Sequence, residues 1–140
     1  MEKELELFME FTSTIAPGMT HEVQDSVTEE KTARVVGSGS LNVYATPCMA
    51  ALMERAAAEL CQRECPVGWT TVGTALSISH RAATPVGLSV RAVAEVTAVD
   101  ERKINLKVTA YDAREEIGSG THERFAVASE KFFAKAESKR

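Results

Sequence analysis

The sequence predicts an α+β domain in which an antiparallel sheet packs around a single central helix. Three observations carry that expectation: one long amphipathic stretch after Thr46, alternating apolar and polar residues from Leu76 onward, and short polar breaks between the alternating segments. Short turns join antiparallel neighbours, and a lone helix beside so many strands implies a sheet wrapped around or packed on it. The 140 residues, 44% hydrophobic and 26% charged, read as one domain spanning 1–140. Half a chain of this length would bury too little apolar surface to offset its ordering entropy.

Taken in order, residues 3–11 have Leu5, Phe8 and Met9 at helical spacing, and Pro17-Gly18 ends any such element. The stretch from His21 to Val36 is rich in β-branched residues and reads as strand, interrupted at Glu29-Glu30-Lys31. Gly37-Ser38-Gly39-Ser40 is the most flexible composition in the chain. Thr46 then suits an N-cap and Pro47 the first helical position, where a missing N–H costs nothing. Met49, Leu52, Met53, Ala56 and Leu60 form one apolar stripe, which Pro66-Val67-Gly68 stops.

Beyond Trp69 the period changes. Leu76, Ile78, His80 and Ala82 share one strand face, and Ser77, Ser79, Arg81 and Ala83 the other. Ser89 to Val99 makes the next strand, Asp100 to Lys103 a polar turn, and Ile104, Leu106, Val108 and Ala110 a third strand by strict alternation. After the turn at Asp112 to Glu116, Ile117 to Phe133 reads as one long final strand with glycines at 118 and 120.

Composition excludes several classes. A net charge of -4 argues against a nucleic-acid partner, which selects a clustered excess of Lys and Arg. The start, Met1-Glu2-Lys3-Glu4-Leu5-Glu6, has no basic and apolar leader pattern, and the longest apolar run, Cys48 to Met53, is far below the roughly 20 residues of a membrane span. Cys48, Cys61 and Cys65 match no zinc or CxxC spacing. The expected protein is therefore cytoplasmic, off the membrane and without disulfides. Three scattered histidines likewise predict no metal site.

Glu54 stands out for chemistry. On the helical wheel it lies in a collar of small residues, Ala50, Ala57, Cys61, Ala58 and Ala51, which leaves space beside the carboxylate. It reads equally as a desolvated base or nucleophile and as a carboxylate reaching water from the edge of the stripe. His80 shares the core face with Leu76 and Ile78, so it is either a hydrogen-bonded core residue or, if Glu54 points at it, half of an acid and imidazole pair. Thr46 serves as a plain N-cap or as a group at an anion-stabilising helix terminus. His122 and Arg124 alternate onto one face that is either solvated or lines a site.

Several segments resemble one family closely. Val43 to Thr46 and Ala50 to Glu54, then Val72-Gly73-Thr74-Ala75, Ser79 to Pro85, Glu116 to Arg124, and Glu130-Lys131-Phe132, are similar in one register to the fluoroacetyl-CoA thioesterase family of the hotdog fold. The resemblance implies a helix wrapped by an antiparallel sheet, a homodimer with sites at its interface, and hydrolysis of an acyl-CoA thioester with no cofactor beyond that substrate. It places the family's catalytic threonine, glutamate and histidine on Thr46, Glu54 and His80, and the residues that position the acyl group on Gly73 and Arg124. The polyanionic CoA would then need local cations, with Arg81 and the basic residues from Lys131 to Arg140 as the expected ones.

One departure bears on substrate. Where the fluoroacetyl-specific enzyme carries bulky aromatic residues that lid its small acyl group, this chain has Gly37-Ser38-Gly39-Ser40. A water-excluding lid makes discrimination by so small a group effective, so its loss predicts a different or broader acyl preference. The competing expectation is a non-catalytic module that binds acyl-CoA; a hotdog hydratase is disfavoured by the pairing of Thr46 with Glu54.

Overall fold

The structure, a computed structural model, describes residues 11–140. The helix expected over residues 3–11 lies, but for Phe11, outside the described residues. The elements are β1 (Thr20–Ser26), α1 (Ala33–Val36), α2 (Thr46–Arg63), β2 (Trp69–His80), β3 (Ser89–Asp100), β4 (Lys103–Asp112), β5 (Glu116–Ala128) and α3 (Ser129–Glu137). The five strands form one antiparallel sheet in the order β1-β3-β4-β5-β2. The long helix α2 packs across β1, β3, β2 and β4, as the periodicity predicts.

Seven residues of α2 are buried: Met49, Leu52, Met53, Ala56, Ala57, Leu60 and Cys61. Beneath them the sheet presents small side chains, Ala92 and Ala94 on β3 and Ala110 on β4, between Val90, Val96, Ile104, Leu106 and Val108. Small residues let the helix axis approach while the methionines and leucines fill the gaps. Each large apolar side chain buried in this way contributes about 1.5–3 kcal/mol.

Two expectations are corrected. Strand structure between His21 and Val36 stops at Ser26, and Ala33–Val36 is a helical turn. Local capping overrides β-propensity here: the Thr32 hydroxyl accepts from the Val35 amide, and Gly37 at φ 91° closes the turn. The amides of Gly37, Ser38 and Gly39 all donate to the Ala33 carbonyl, at 2.9, 3.0 and 3.3 Å, so this stretch is a built cap and not a slack linker. At the other end, β5 stops at Ala128 instead of reaching Phe133. Its partner β2 begins at Trp69, opposite Ala128, so among the described residues the chain beyond has no strand to pair with, and it coils into α3.

A β-bulge in β2 inserts Thr74 between Gly73, opposite Arg124, and Ala75, opposite Glu123. One extra residue reverses the alternation. Odd positions, Trp69 and Thr71, are buried before it, and even positions, Leu76, Ile78 and His80, turn inward after it. Without the bulge, Gly73 and His80 would face opposite sides of the sheet.

Close approach of β2 to β5 depends on Gly120. A Cβ there would stand 2.0 Å from the Ser77 carbonyl oxygen and 2.7 Å from Ile78 Cα, both backbone atoms. Gly120→Ala must therefore part the two strands, and we expect a loss of about 3 kcal/mol, or roughly 10 °C in Tm. A thermal melt within about 2 °C of wild type would show that the strands open without cost.

Candidate active site

The five residues predicted for the site fall into two groups. The first is built where α2 begins. Ala45 occupies the N-cap position and makes no side-chain cap, so Thr46, the first helical residue, does not cap as predicted. Its hydroxyl is turned instead to β2, where Oγ1 lies 2.8 Å from His80 Nδ1. The opposite ring nitrogen, His80 Nε2, is buried with no hydrogen-bond partner among the described residues. Burial holds the imidazole below its ordinary pKa, with the Ala82 backbone pulling the other way. A neutral imidazole with one face oriented and one nitrogen unsatisfied is prepared to exchange a proton with an incoming group.

Tyr44 backs this pair, its ring edge-on to His80 at 6.4 Å between centroids. Its hydroxyl is also buried without a partner among the described residues. A cavity of about 370 Å³ opens beside Thr46 and His80, walled by Ala33, Ser38, Val43 and Arg81. The capped turn after α1 thus borders the pocket with a serine.

The second group surrounds Glu54, two turns further along α2. A Cβ on Gly73 would stand 3.1 Å from Glu54 Oε2, 3.2 Å from His122 Cε1 and 3.4 Å from Arg124 Nη1, so all three groups converge on the face of that glycine. Glu54 is half-buried and makes no hydrogen bond or ion pair among the described residues. Arg124 is buried: its Nε donates to Thr71 Oγ1 at 2.8 Å, Nη2 to the Thr71 carbonyl at 2.9 Å, and Nη1 to His122 Nε2 at 3.2 Å. Burial lowers its pKa, and nearby Cys61 and Glu54 offset part of that effect.

His122 and Thr71 enter this group although neither was assigned a role from sequence. The signal for His122 was its alternation with Arg124 on β5, whose other inward positions, Gly118, Gly120 and Ala126, carry small residues. Thr71 shares a face with Gly73, two positions on. Cys61 lies buried near Arg124, its thiol pushed up to about 11 mainly by burial, which makes it a wall and not a nucleophile. No group of three or more His, Cys, Asp or Glu placed to hold a metal occurs among the described residues.

No hydrogen bond joins Glu54 to Thr46 or His80 among the described residues. Glu54 is eight helical positions beyond Thr46, about 12 Å of rise. Gly73 and His80 stand about 20 Å apart along β2. Arg81, expected to meet phosphate, is ion-paired with Glu116 and bonds Ser119. No described helix is long and apolar enough to cross a membrane.

Comparison with known proteins adds a family to this geometry. The family model described as FlK: Fluoroacetyl-CoA-specific thioesterase matches residues 27–130. A fluoroacetyl-CoA thioesterase of Streptantibioticus cattleyicolor is 43% identical over 97 residues, covering 69% of this chain and 70% of that protein. A solved structure of the fluoroacetyl-CoA thioesterase FlK superposes with a TM-score of 0.83 at 36% identity, over 90% of this chain and 98% of that one. A thioesterase superfamily member from Thermus thermophilus superposes at 0.81 with 26% identity, over 89% and 95% of the two chains. With its sheet wrapped around α2 in the hotdog arrangement, the chain belongs to the fluoroacetyl-CoA-specific thioesterase family, a family of thioester hydrolases.

Proposed function

We propose that this protein hydrolyses an acyl-CoA thioester to a carboxylate and free CoA. The observation that carries this reading is the Glu54 carboxylate, unpaired among the described residues and set against Gly73 beside the Arg124 guanidinium. Glu54 attacks the thioester carbonyl or draws the proton from the water that does. Thr46 and His80 stabilise the developing oxyanion and return a proton to the departing sulfur. Gly73 and Arg124 border the acyl group.

The working unit is a homodimer. Strand β2 is an edge of the sheet, and no strand among the described residues lies on its outer side. Two such edges paired antiparallel about Ser77, with the Thr74 bulge supplying one extra residue, place Gly73 of one chain opposite His80 of the other. Each site then takes Glu54, Gly73 and Arg124 from one protomer and Thr46 with His80 from its partner. This joins across the interface the two groups that a single chain keeps apart.

The acyl preference follows from the pocket border. Ser38 lines the cavity at Thr46 and His80, and Gly37 to Ser40 brings no aromatic ring to close it. We expect hydrolysis of several short acyl-CoAs at comparable kcat/KM, in a setting such as the cytoplasm where free CoA thioesters occur. Thiol release across a panel of acyl-CoAs tests both claims. Strong selectivity for fluoroacetyl-CoA over acetyl-CoA would overturn the altered preference, and tight binding of the panel with no release would favour the binding module.

A further inference from the structure

The roles proposed above leave His122 without a task, although it is 3% exposed and packed into the Glu54 pocket. Its Nδ1 lies 2.7 Å from the Ala75 carbonyl oxygen. A carbonyl only accepts, so Nδ1 carries the proton. Its Nε2 accepts from Arg124 Nη1 at 3.2 Å, so Nε2 carries none. Both bonds together select one neutral tautomer. The Ala75 carbonyl that makes this choice belongs to the residue just past the bulge at Thr74, where the ladder between β2 and β5 slips by one residue.

The consequence falls on Arg124. A guanidinium has five N–H groups in a fixed plane. Thr71 takes two of them and His122 a third, and these three bonds leave the plane no freedom to rotate. The two remaining N–H groups sit on Nη1 and Nη2, and Nη1 borders the space above Gly73 with Glu54 Oε2.

We infer that His122 is a positioning residue for hydrolysis: held by the Ala75 carbonyl, it accepts one Arg124 N–H and so aims the guanidinium at the acyl group beside Glu54. The inference rests on the hydrolytic reading above and extends it to a residue outside the five predicted ones. Misaligned binding groups cost rate through lost near-attack geometry, so the effect should appear in kcat more than in KM.

Three substitutions separate positioning from mere packing. His122→Phe fills the space with neither bond, His122→Asn keeps a donor for Ala75 only, and His122→Gln offers an acceptor to Arg124. We expect His122→Phe and His122→Asn to lower kcat about 10- to 100-fold on the fastest acyl-CoA of the panel, and His122→Gln to recover most of it. In an Arg124→Ala background, His122→Phe should change kcat by less than about 2-fold, because the group it acts through is gone. Additive losses, or rescue by Asn equal to that by Gln, would overturn the inference. The tautomer is read separately by ¹⁵N NMR of the unliganded protein at neutral pH: protonation on Nδ1 alone is expected, and protonation on Nε2 overturns it. A wild type without turnover sinks the hydrolytic reading, whereas the NMR measurement still decides whether His122 holds the guanidinium.

Discussion

Co-expressed Glu54→Ala and His80→Ala chains are expected to recover about a quarter of the wild-type hydrolytic rate, although each variant alone is inactive. Random pairing makes about half of the dimers mixed. In each mixed dimer one site combines both substitutions, and the other combines an intact Glu54 from one chain with an intact Thr46 and His80 from its partner. One working site in two, over half the population, gives that quarter. The expectation follows from distance: Glu54 makes no hydrogen bond to Thr46 or His80 among the described residues, and the strand positions beneath the two groups, Gly73 and His80, are about 20 Å apart. An antiparallel β2 pairing centred on Ser77, with the Thr74 bulge counted, is the arrangement that closes the gap. Separately tagged chains, purified through both tags, isolate the mixed dimer and raise the expected rate to about half of wild type. A mixed dimer no faster than its parents would show that each site is assembled within one chain.

The parts of this fold that sequence reveals are those in which local and tertiary demands agree. The stripe from Met49 to Leu60 is helical by spacing and buried by packing, so α2 was legible, and the strict alternation of Ile104 to Ala110 made β4 equally so. Where the two demands diverge, periodicity misleads. Ala33 to Val36 carries β-branched residues, yet the Thr32 cap and Gly37 make it a helical turn. Phe132 and Phe133 continue the apolar text of β5, yet no partner strand remains for them among the described residues. The site divides in the same way. Glu54 was visible from its collar of small residues and His80 from its face of β2. That Gly73 and His80 lie on one face of β2 was not, because it depends on the Thr74 bulge, which has no signature in residue type. His122 looked ambiguous because its role is fixed by a backbone carbonyl on a neighbouring strand.

Glu54→Gln should lower kcat by about 10²- to 10⁴-fold while leaving the fold intact. Glutamine matches glutamate in size, so the Ala50, Ala57 and Cys61 collar and the contact with Gly73 are kept. It removes only the charge and the lone pair that attacks carbon or accepts a proton. Glu54 forms no hydrogen bond or ion pair among the described residues, so no structural partner is orphaned and Tm should stay within about 2 °C. Acyl-CoA affinity should survive, because Arg124 keeps its bonds to Thr71 and His122. Loss of turnover with retained binding assigns Glu54 to the chemical step. A variant within about 3-fold of the wild-type kcat would remove Glu54 from that step and leave hydrolysis to water oriented at Thr46 and His80. The two routes open to an active Glu54 are then divided by single turnover in ¹⁸O-labelled water with enzyme in excess. Nucleophilic attack passes through a mixed anhydride, and water that attacks its Glu54 carboxyl carbon places label in the Glu54 carboxylate, whereas general-base catalysis places it only in the released acid.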